Sequence, residues 1–288
     1  MAVRQDTIFE QFLAPIFRNF LLDEKAMQEF ANRIDWEKAS DRLTNPALIY
    51  PNYYKQQNFH GIEGGYLTKS AAVTYDPITQ YVLPPGESLV RKALIDTVKV
   101  KPRRILDLGC GTGSTTVLLK QAFPNSEVIG LDLSPFMLVA AEDKAHQAGL
   151  EIQWIHAKAE QTGFPPESFD LVTASLLFHE TPPAISQAIL QESYRLLTVG
   201  GECLILDGNQ RMLRQTTWLN NIFEEPYIRD YASGSVDAWM GSARFEAVQT
   251  HDVWWLNQLT QGFKSLQSTE PASQSRFETM PQKQWAMG

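Results

Sequence analysis

Cysteine is scarce in this chain: Cys110 and Cys203 are the only two among 288 residues. Both fall in segments that read as strand or strand edge, so nothing points to a disulfide framework, and a reducing, cytoplasmic compartment fits. Basic clusters are missing as well. The formal net charge is -8, and no run of Lys and Arg offers the phosphate-neutralising surface of a nucleic-acid binder. No apolar run approaches the ~18 residues of a membrane-spanning helix, and the first residues lack the order of a secretion signal, a basic stretch and then an apolar one. Contact with a membrane surface stays open, and the oligomeric state is not legible. No internal repeat is present. What remains is an ordinary globular composition, 43% hydrophobic and 20% charged, long enough for one large domain with a substantial appendage.

Three zones divide the chain. Residues 1–101 read as a helical cap with an aromatic-rich loop. Phe9, Phe12, Leu13, Ile16, Phe17, Phe20 and Leu21 recur at three- and four-residue steps, one apolar helix face, with a break expected at Pro15. Its polar face lacks the basic residues of membrane-surface helices, so docking on the main core is the better reading. Residues 45–86 read as one long irregular stretch. Pro46, Pro51, Pro77, Pro84, Pro85, Gly61, Gly64 and Gly65 break it up, while Tyr50, Tyr53, Tyr54, Phe59, His60, Tyr66, Tyr75 and Tyr81 argue for order.

Residues 102–264 alternate strand and helix: strand 103–108, helix 114–123, strand 127–131, helix 135–148, strands 152–156 and 169–175, helix 183–197 and strand 202–207. That alternation predicts βαβ units and a parallel sheet. Ser134 before Pro135 is a helix N-cap followed by proline at the first helical position, and Gly200–Gly201 reads as a turn before the last of these strands. A helix over 212–230 and a short one over 236–243 follow, then a hairpin of 245–253 and 255–260. Residues 265–288 read as a disordered tail.

Chemistry concentrates at Asp107-Leu108-Gly109-Cys110-Gly111-Thr112-Gly113. An apolar strand runs into three glycines and a helix N-terminus, where missing Cβ atoms let a ligand approach the main chain. A pyrophosphate fingerprint is G-x-G-x-x-G; here the spacing is G-x-G-x-G, with Ser114 where a third glycine would be needed. Asp132 then ends the second strand, at the sheet edge where ligands of such folds bind. Helix capping is the competing role for Asp132, but Ser134 already serves it.

These motifs resemble those of class I S-adenosylmethionine-dependent methyltransferases that act on small molecules. The resemblance covers residues 103–207 and implies a Rossmann-like α/β sheet, mostly parallel with an antiparallel last strand, with the N-terminal helical cap binding the acceptor. It implies S-adenosyl-L-methionine as cofactor, with Asp107, Gly109, Cys110, Gly111 and Gly113 lying against the methionine moiety. It also implies that Asp132 accepts the ribose hydroxyls while Leu133 and Met137 pack beside the adenosine. Relatives often carry Asp-Ala-Glu after the third strand. This chain has Lys158-Ala159-Glu160, and lysine has donors only. Adenine then falls to the main chain at Ala159 and Glu160, or to Glu160 itself.

The fourth strand and its loop, through Ser175 and on to His179-Glu180, resemble the family segment that faces cofactor and acceptor. Relatives place a histidine near the reaction centre there, so His179 is the expected base if the acceptor is a carbon or hydroxyl; a loop histidine bonded to backbone is the plainer alternative. A zinc site fails, because H-E-x-x-H needs a second histidine and position 183 is proline. Glu180 and Asp207, with Tyr66 and Tyr75 of the cap, are expected near substrate or lid, the tyrosines as faces for a positive sulfur. The expected reaction is in-line methyl transfer to an aromatic or apolar small molecule. The strand motifs are also those of quinol C-methyltransferases, although the whole class shares them. A nicotinamide-dependent oxidoreductase, which the glycine spacing disfavours, and a non-catalytic binding module are the alternatives.

Overall fold

The computed structural model describes residues 23–59, 62, 64–82, 85–216 and 226–265. Asp23 and Asp35 open the first two helices, α1 (Glu24–Arg33) and α2 (Trp36–Leu43), each carboxylate accepting a first-turn N–H. A one-turn helix α3 (Asn52–Lys55) precedes α4 (Lys69–Val82) and α5 (Glu87–Thr97). The expectation of a wholly irregular 45–86 is therefore corrected. Pro77 lies inside α4 at a cost of about 3 kcal/mol, but Ala71, Ala72 and Val73 are buried, and that packing outweighs one breaker. The apolar face over 9–21, His60, Gly61 and the tail from 266 onward lie outside the described residues.

Strand and helix then alternate: β1 (Arg104–Leu108), α6 (Ser114–Ala122), β2 (Glu127–Asp132), α7 (Pro135–Gln147), β3 (Gln153–His156), β4 (Phe169–Ser175), α8 (Pro183–Leu196) and β5 (Leu197–Gly208). The Ser134 hydroxyl accepts the Met137 N–H, and Pro135 fills the first turn of α7. Beyond β5 come α9 (Gln210–Gln215), α10 (Ile228–Ser233), α11 (Val236–Ser242) and the hairpin β6 (Glu246–Val253) and β7 (Asn257–Phe263).

Two further expectations change here. The single helix over 212–230 is replaced by α9 and α10: α9 ends at Thr216, whose hydroxyl bonds back to the Met212 carbonyl, and 217–225 are outside the described residues. Gly200 and Gly201 turn the chain inside β5 instead of before it: Leu197 faces Phe169 and Glu202 faces Leu171, so 198–201 make an excursion with Gly200 at φ +82°, held by backbone bonds to Lys264 just past β7.

Among the described residues these strands form a seven-stranded sheet in the order β3-β2-β1-β4-β5-β7-β6, parallel from β3 to β5 and antiparallel beyond. Helices cover both faces, so the inner strands carry apolar residues toward both sides; Ile105, Leu106, Leu171 and Val172 are fully buried. Strand order reverses at β1, which places a crevice at the carboxyl ends of β1 and β4. Helices α1, α2 and α4 pack over α7, with Trp36, Phe59, Tyr66 and Met137 in a cluster of their own. Among the described residues no helix is long and apolar enough to cross a membrane.

Candidate active site

The crevice is floored by the turn leaving β1. Gly109, Gly111 and Gly113 all hold positive φ (60°, 53° and 77°), which glycine adopts without steric cost. Their surroundings differ. A Cβ on Gly113 would meet Trp154 and Ala141 at 2.8 and 2.9 Å, whereas one on Gly111 would meet nothing within 4 Å. Gly113 thus lets α6 pack closely, and Gly111 leaves an open cradle. The Cys110 thiol also lines the cleft, and burial pushes its pKa far up, so it stays protonated.

Asp132 ends β2 beside this cradle. One carboxylate oxygen accepts the Gly111 N–H at 2.8 Å and the other the Ser134 N–H at 2.8 Å. Burial raises the Asp132 pKa to about 6, against the pull of those N–H groups. Asp107 behaves differently. Its two oxygens accept the Thr116 and Thr173 hydroxyls (2.6 and 2.7 Å), and it is buried behind the turn without lining the cleft. It braces β1 against α6 and β4.

The roof comes from the cap. Phe59 stacks on Tyr66 at 5.2 Å between centroids, Tyr54 leans on Phe59, and Tyr75 meets the Tyr66 edge. The Tyr66 hydroxyl donates to Glu180 Oε1 at 2.7 Å. The roof is fastened at several points. Ser134 Oγ donates to the Tyr66 carbonyl, Thr112 Oγ1 donates to Asp76 Oδ1 (2.5 Å), and Lys144 pairs with Asp76 at 2.7 Å. His156, buried at the end of β3, accepts the Asn45 N–H on Nδ1 (2.9 Å) and therefore carries its proton on Nε2, 2.9 Å from the Leu133 carbonyl.

The wall opposite is the loop after β4. Ser175 is 8% exposed and its hydroxyl has no hydrogen-bond partner; it lines the cleft together with Leu176, which is held at φ +59°. A non-glycine residue there costs about 1–2 kcal/mol, the kind of strain that collects at working sites. His179 and Glu180 follow in a short 3-10 turn (Phe178–Glu180) and part company. Glu180 lines the cleft. The His179 ring is not among the lining side chains: its Nδ1 lies 2.6 Å from Asp207 Oδ1, and its Nε2 3.9 Å from Glu180 Oε1. Asp207, at the end of β5, also accepts the Phe178 and Gly208 N–H groups.

The structure thus brings Gly109, Cys110, Gly111, Asp132, Leu133, Met137, Ala159, Ser175, Tyr66, Tyr75 and Glu180 to one cleft. Asp107, Gly113, Glu160, His179 and Asp207 stand behind it. Glu160 is held by the Tyr53 hydroxyl at 3.1 Å. Sequence reasoning missed Tyr53, Tyr54, Phe59, Thr112, Arg91, Leu176 and Leu177 among the lining residues. Arg91 stands three residues before the buried Leu94 and is itself buried, but a charged residue in a helical pattern reads as a solvated position.

A glycine cradle, a carboxylate and a hydroxyl converge beside the switch point of a mostly parallel Rossmann-like sheet, the place where ligands of such folds bind. A family described as a methyltransferase domain matches residues 105–201. An uncharacterized methyltransferase from Synechocystis is 33% identical over 175 residues, which is 58% of this chain and 78% of that protein. A demethylmenaquinone methyltransferase from Thermus thermophilus is 38% identical over 137 residues, 47% of this chain, and the match spans only 61% of that relative. A putative O-methyltransferase from Nostoc punctiforme has the same fold, with a TM-score of 0.55 at 16% identity, covering 83% of this chain and 69% of that one. The chain belongs to the S-adenosylmethionine-dependent methyltransferase family. That membership sets aside the nicotinamide-dependent alternative.

Proposed function

We infer that this chain binds S-adenosylmethionine along the cleft and passes its methyl group to a small acceptor with an aromatic or apolar body. One observation carries the reading: the open cradle at Gly111, the Asp132 carboxylate and the partnerless buried Ser175 hydroxyl converge at one sheet edge. The residues fit the cofactor. Each Asp132 oxygen already takes one N–H and keeps a further acceptor site for a ribose hydroxyl. Leu133 and Met137 flank the adenosine. Adenine falls to the main chain near Ala159, with Tyr53 closing from the cap, because the Glu160 carboxylate is occupied by Tyr53. When bound, S-adenosylmethionine supplies a cationic sulfonium with an activated methyl group.

The protein's part is orientation, exclusion of water and custody of a proton. Tyr66 and Tyr75 offer ring faces that attract a cation. The stacked cap keeps the cleft dry and gives an aromatic acceptor a surface to lie on. An acceptor that sheds a proton gives it to Glu180, the carboxylate inside the cleft. His179, steadied by Asp207, stands next in line at Nε2. The Thermus relative is named for demethylmenaquinone, and a quinol ring suits these walls.

The test is methyl transfer from labelled S-adenosylmethionine to a panel of a demethylated naphthoquinol, a benzoquinol, a catechol and an aliphatic amine. Label is expected in an aromatic acceptor. A chain that binds the donor but labels none of them is a binding module, and the catalytic reading fails.

A further inference from the structure

The hairpin of β6 and β7 ends in two exposed tryptophans. Trp254 and Trp255 are 54% and 55% exposed, whereas Val253 and Asn257 on either side are buried. Trp254 holds φ +51°, a backbone conformation that a bulky residue rarely adopts and glycine adopts freely. The tip is braced from beneath. The Asn209 N–H donates to the Leu256 carbonyl at 2.7 Å, and Asp252 takes Asn209 Nδ2 on one oxygen (2.9 Å) and Arg211 on the other (2.6 Å). Its position follows from the register. Asp207 pairs with Gln258 and Gly208 with Asn257, and β6 runs in the same direction as β5. Both tryptophans therefore stand at the carboxyl edge of the sheet, the edge that carries the cleft.

The patch is too small for a stable protein contact. Two half-exposed indoles offer about 200 Å², against about 800 Å² on each side of a stable interface. The strand beneath does not extend it, since Gln249, Thr250, His251 and Asp252 are exposed and polar. A lipid surface asks for less. Tryptophan collects where a bilayer meets water, because its ring is apolar while its N–H still finds a polar partner. Charge narrows the choice of lipid: Arg211 neutralises Asp252 at the tip, and a formal net charge of -8 disfavours anionic headgroups and leaves zwitterionic ones.

We propose that Trp254 and Trp255 insert into the headgroup region of a lipid bilayer and hold the cleft edge of the sheet against the membrane. The contact stands apart from the chemistry of the cleft; its use, drawing an apolar acceptor out of the lipid, rests on the methyl-transfer reading.

Flotation of the intact chain with phosphatidylcholine vesicles tests it, together with tryptophan emission measured against acyl chains brominated near the headgroup. The wild-type chain is expected to float and to have part of its emission quenched, at low and high salt alike. In the Trp254→Gly, Trp255→Ser double variant, vesicle binding should weaken about tenfold or more and the quenching should disappear, with the fold intact by circular dichroism. A wild-type chain that neither floats nor is quenched overturns the proposal, as does a folded double variant that binds like the wild type, or binding that high salt abolishes. Self-association that the double variant loses would make the tip a contact between copies and overturn the lipid reading. If the double variant does not fold, Trp255→Phe decides: it should lower the quenched fraction, and an unchanged fraction overturns the proposal. None of these outcomes touches the donor assignment, which labelled transfer to the acceptor panel decides separately.

Discussion

Replacing Asp132 by Asn is expected to leave the fold standing and to weaken ligand binding, and the geometry sets both magnitudes. The carboxylate takes the Gly111 N–H on one oxygen and the Ser134 N–H on the other. An amide has one oxygen, so one of these N–H groups loses its acceptor, a loss of about 1–3 kcal/mol. Against this stands the burial of the charge. The pKa is raised from its ordinary 3.8 to about 6, so at neutral pH the ionised form is disfavoured in the fold by about 3 kcal/mol. The two effects nearly offset, and Tm is expected to move by no more than about 4 °C. Binding has no such offset. Two ribose hydroxyls lose a charged acceptor, worth about 1.5–3 kcal/mol, or roughly tenfold to 150-fold in the Kd of S-adenosylhomocysteine.

Titration calorimetry beside thermal unfolding reads both quantities, and pH gives a further arm. Ligand affinity of the wild-type chain should fall as pH drops through about 6, by up to about tenfold per pH unit. The same group's share of stability runs the other way: a carboxyl with a raised pKa binds its proton more tightly folded than unfolded, so its contribution grows between pH 6 and 4. The Asn variant should show neither trend. Unchanged affinity in that variant, or a wild-type affinity flat from pH 7 to about 5, refutes the ribose assignment.

Other consequences are as concrete. Burial lowers the His156 pKa, so the stability its Asn45 bond contributes is complete above the ordinary histidine pKa, near 6.5, and is lost as pH falls from there toward the lowered value; the protection of the Asn45 amide, its exchange rate relative to the base-catalysed rate of an open chain at the same pH, should fall across that window, and a constant protection contradicts it. Gly113→Ala places a Cβ 2.8 Å from Trp154 at φ +77° and should cost on the order of 2–4 kcal/mol of stability, while Gly111→Ala, with open space around it, should chiefly weaken ligand binding; the reverse pattern in calorimetry and thermal melts would count against the cradle. Glu180→Gln should lower kcat by about 10²-fold or more with an acceptor that loses a proton, and His179→Gln should lower it less, because His179 acts through Glu180; a larger loss in the histidine variant makes His179 the base.

The sheet was legible because buried parallel strands are continuous apolar runs, and Ser134-Pro135 and the glycine turn punctuate them. Asp132 was legible for the same reason, since it ends β2 on the carboxyl side of the sheet, beside the β1 turn that opens the crevice. The cap was not. Pro77 reads as a breaker, and the burial of Ala71–Val73 that overrules it depends on contacts with α7, far off in sequence. Nor could sequence separate His179 from Glu180: neighbours in a 3-10 turn point apart, and which one meets the cleft follows from Asp207, delivered by β5. Arg91 was hidden because helical periodicity assigns charge to solvent, and its partner Thr115 lies 24 residues on.

Equilibrium dialysis of the purified chain against labelled S-adenosylmethionine puts the glycine turn and Asp132 to the sharpest trial. One donor molecule should be retained per chain, displaced by S-adenosylhomocysteine and untouched by NAD. Retention of no donor, or displacement by the pyridine dinucleotide, would mean that this crevice serves some other ligand.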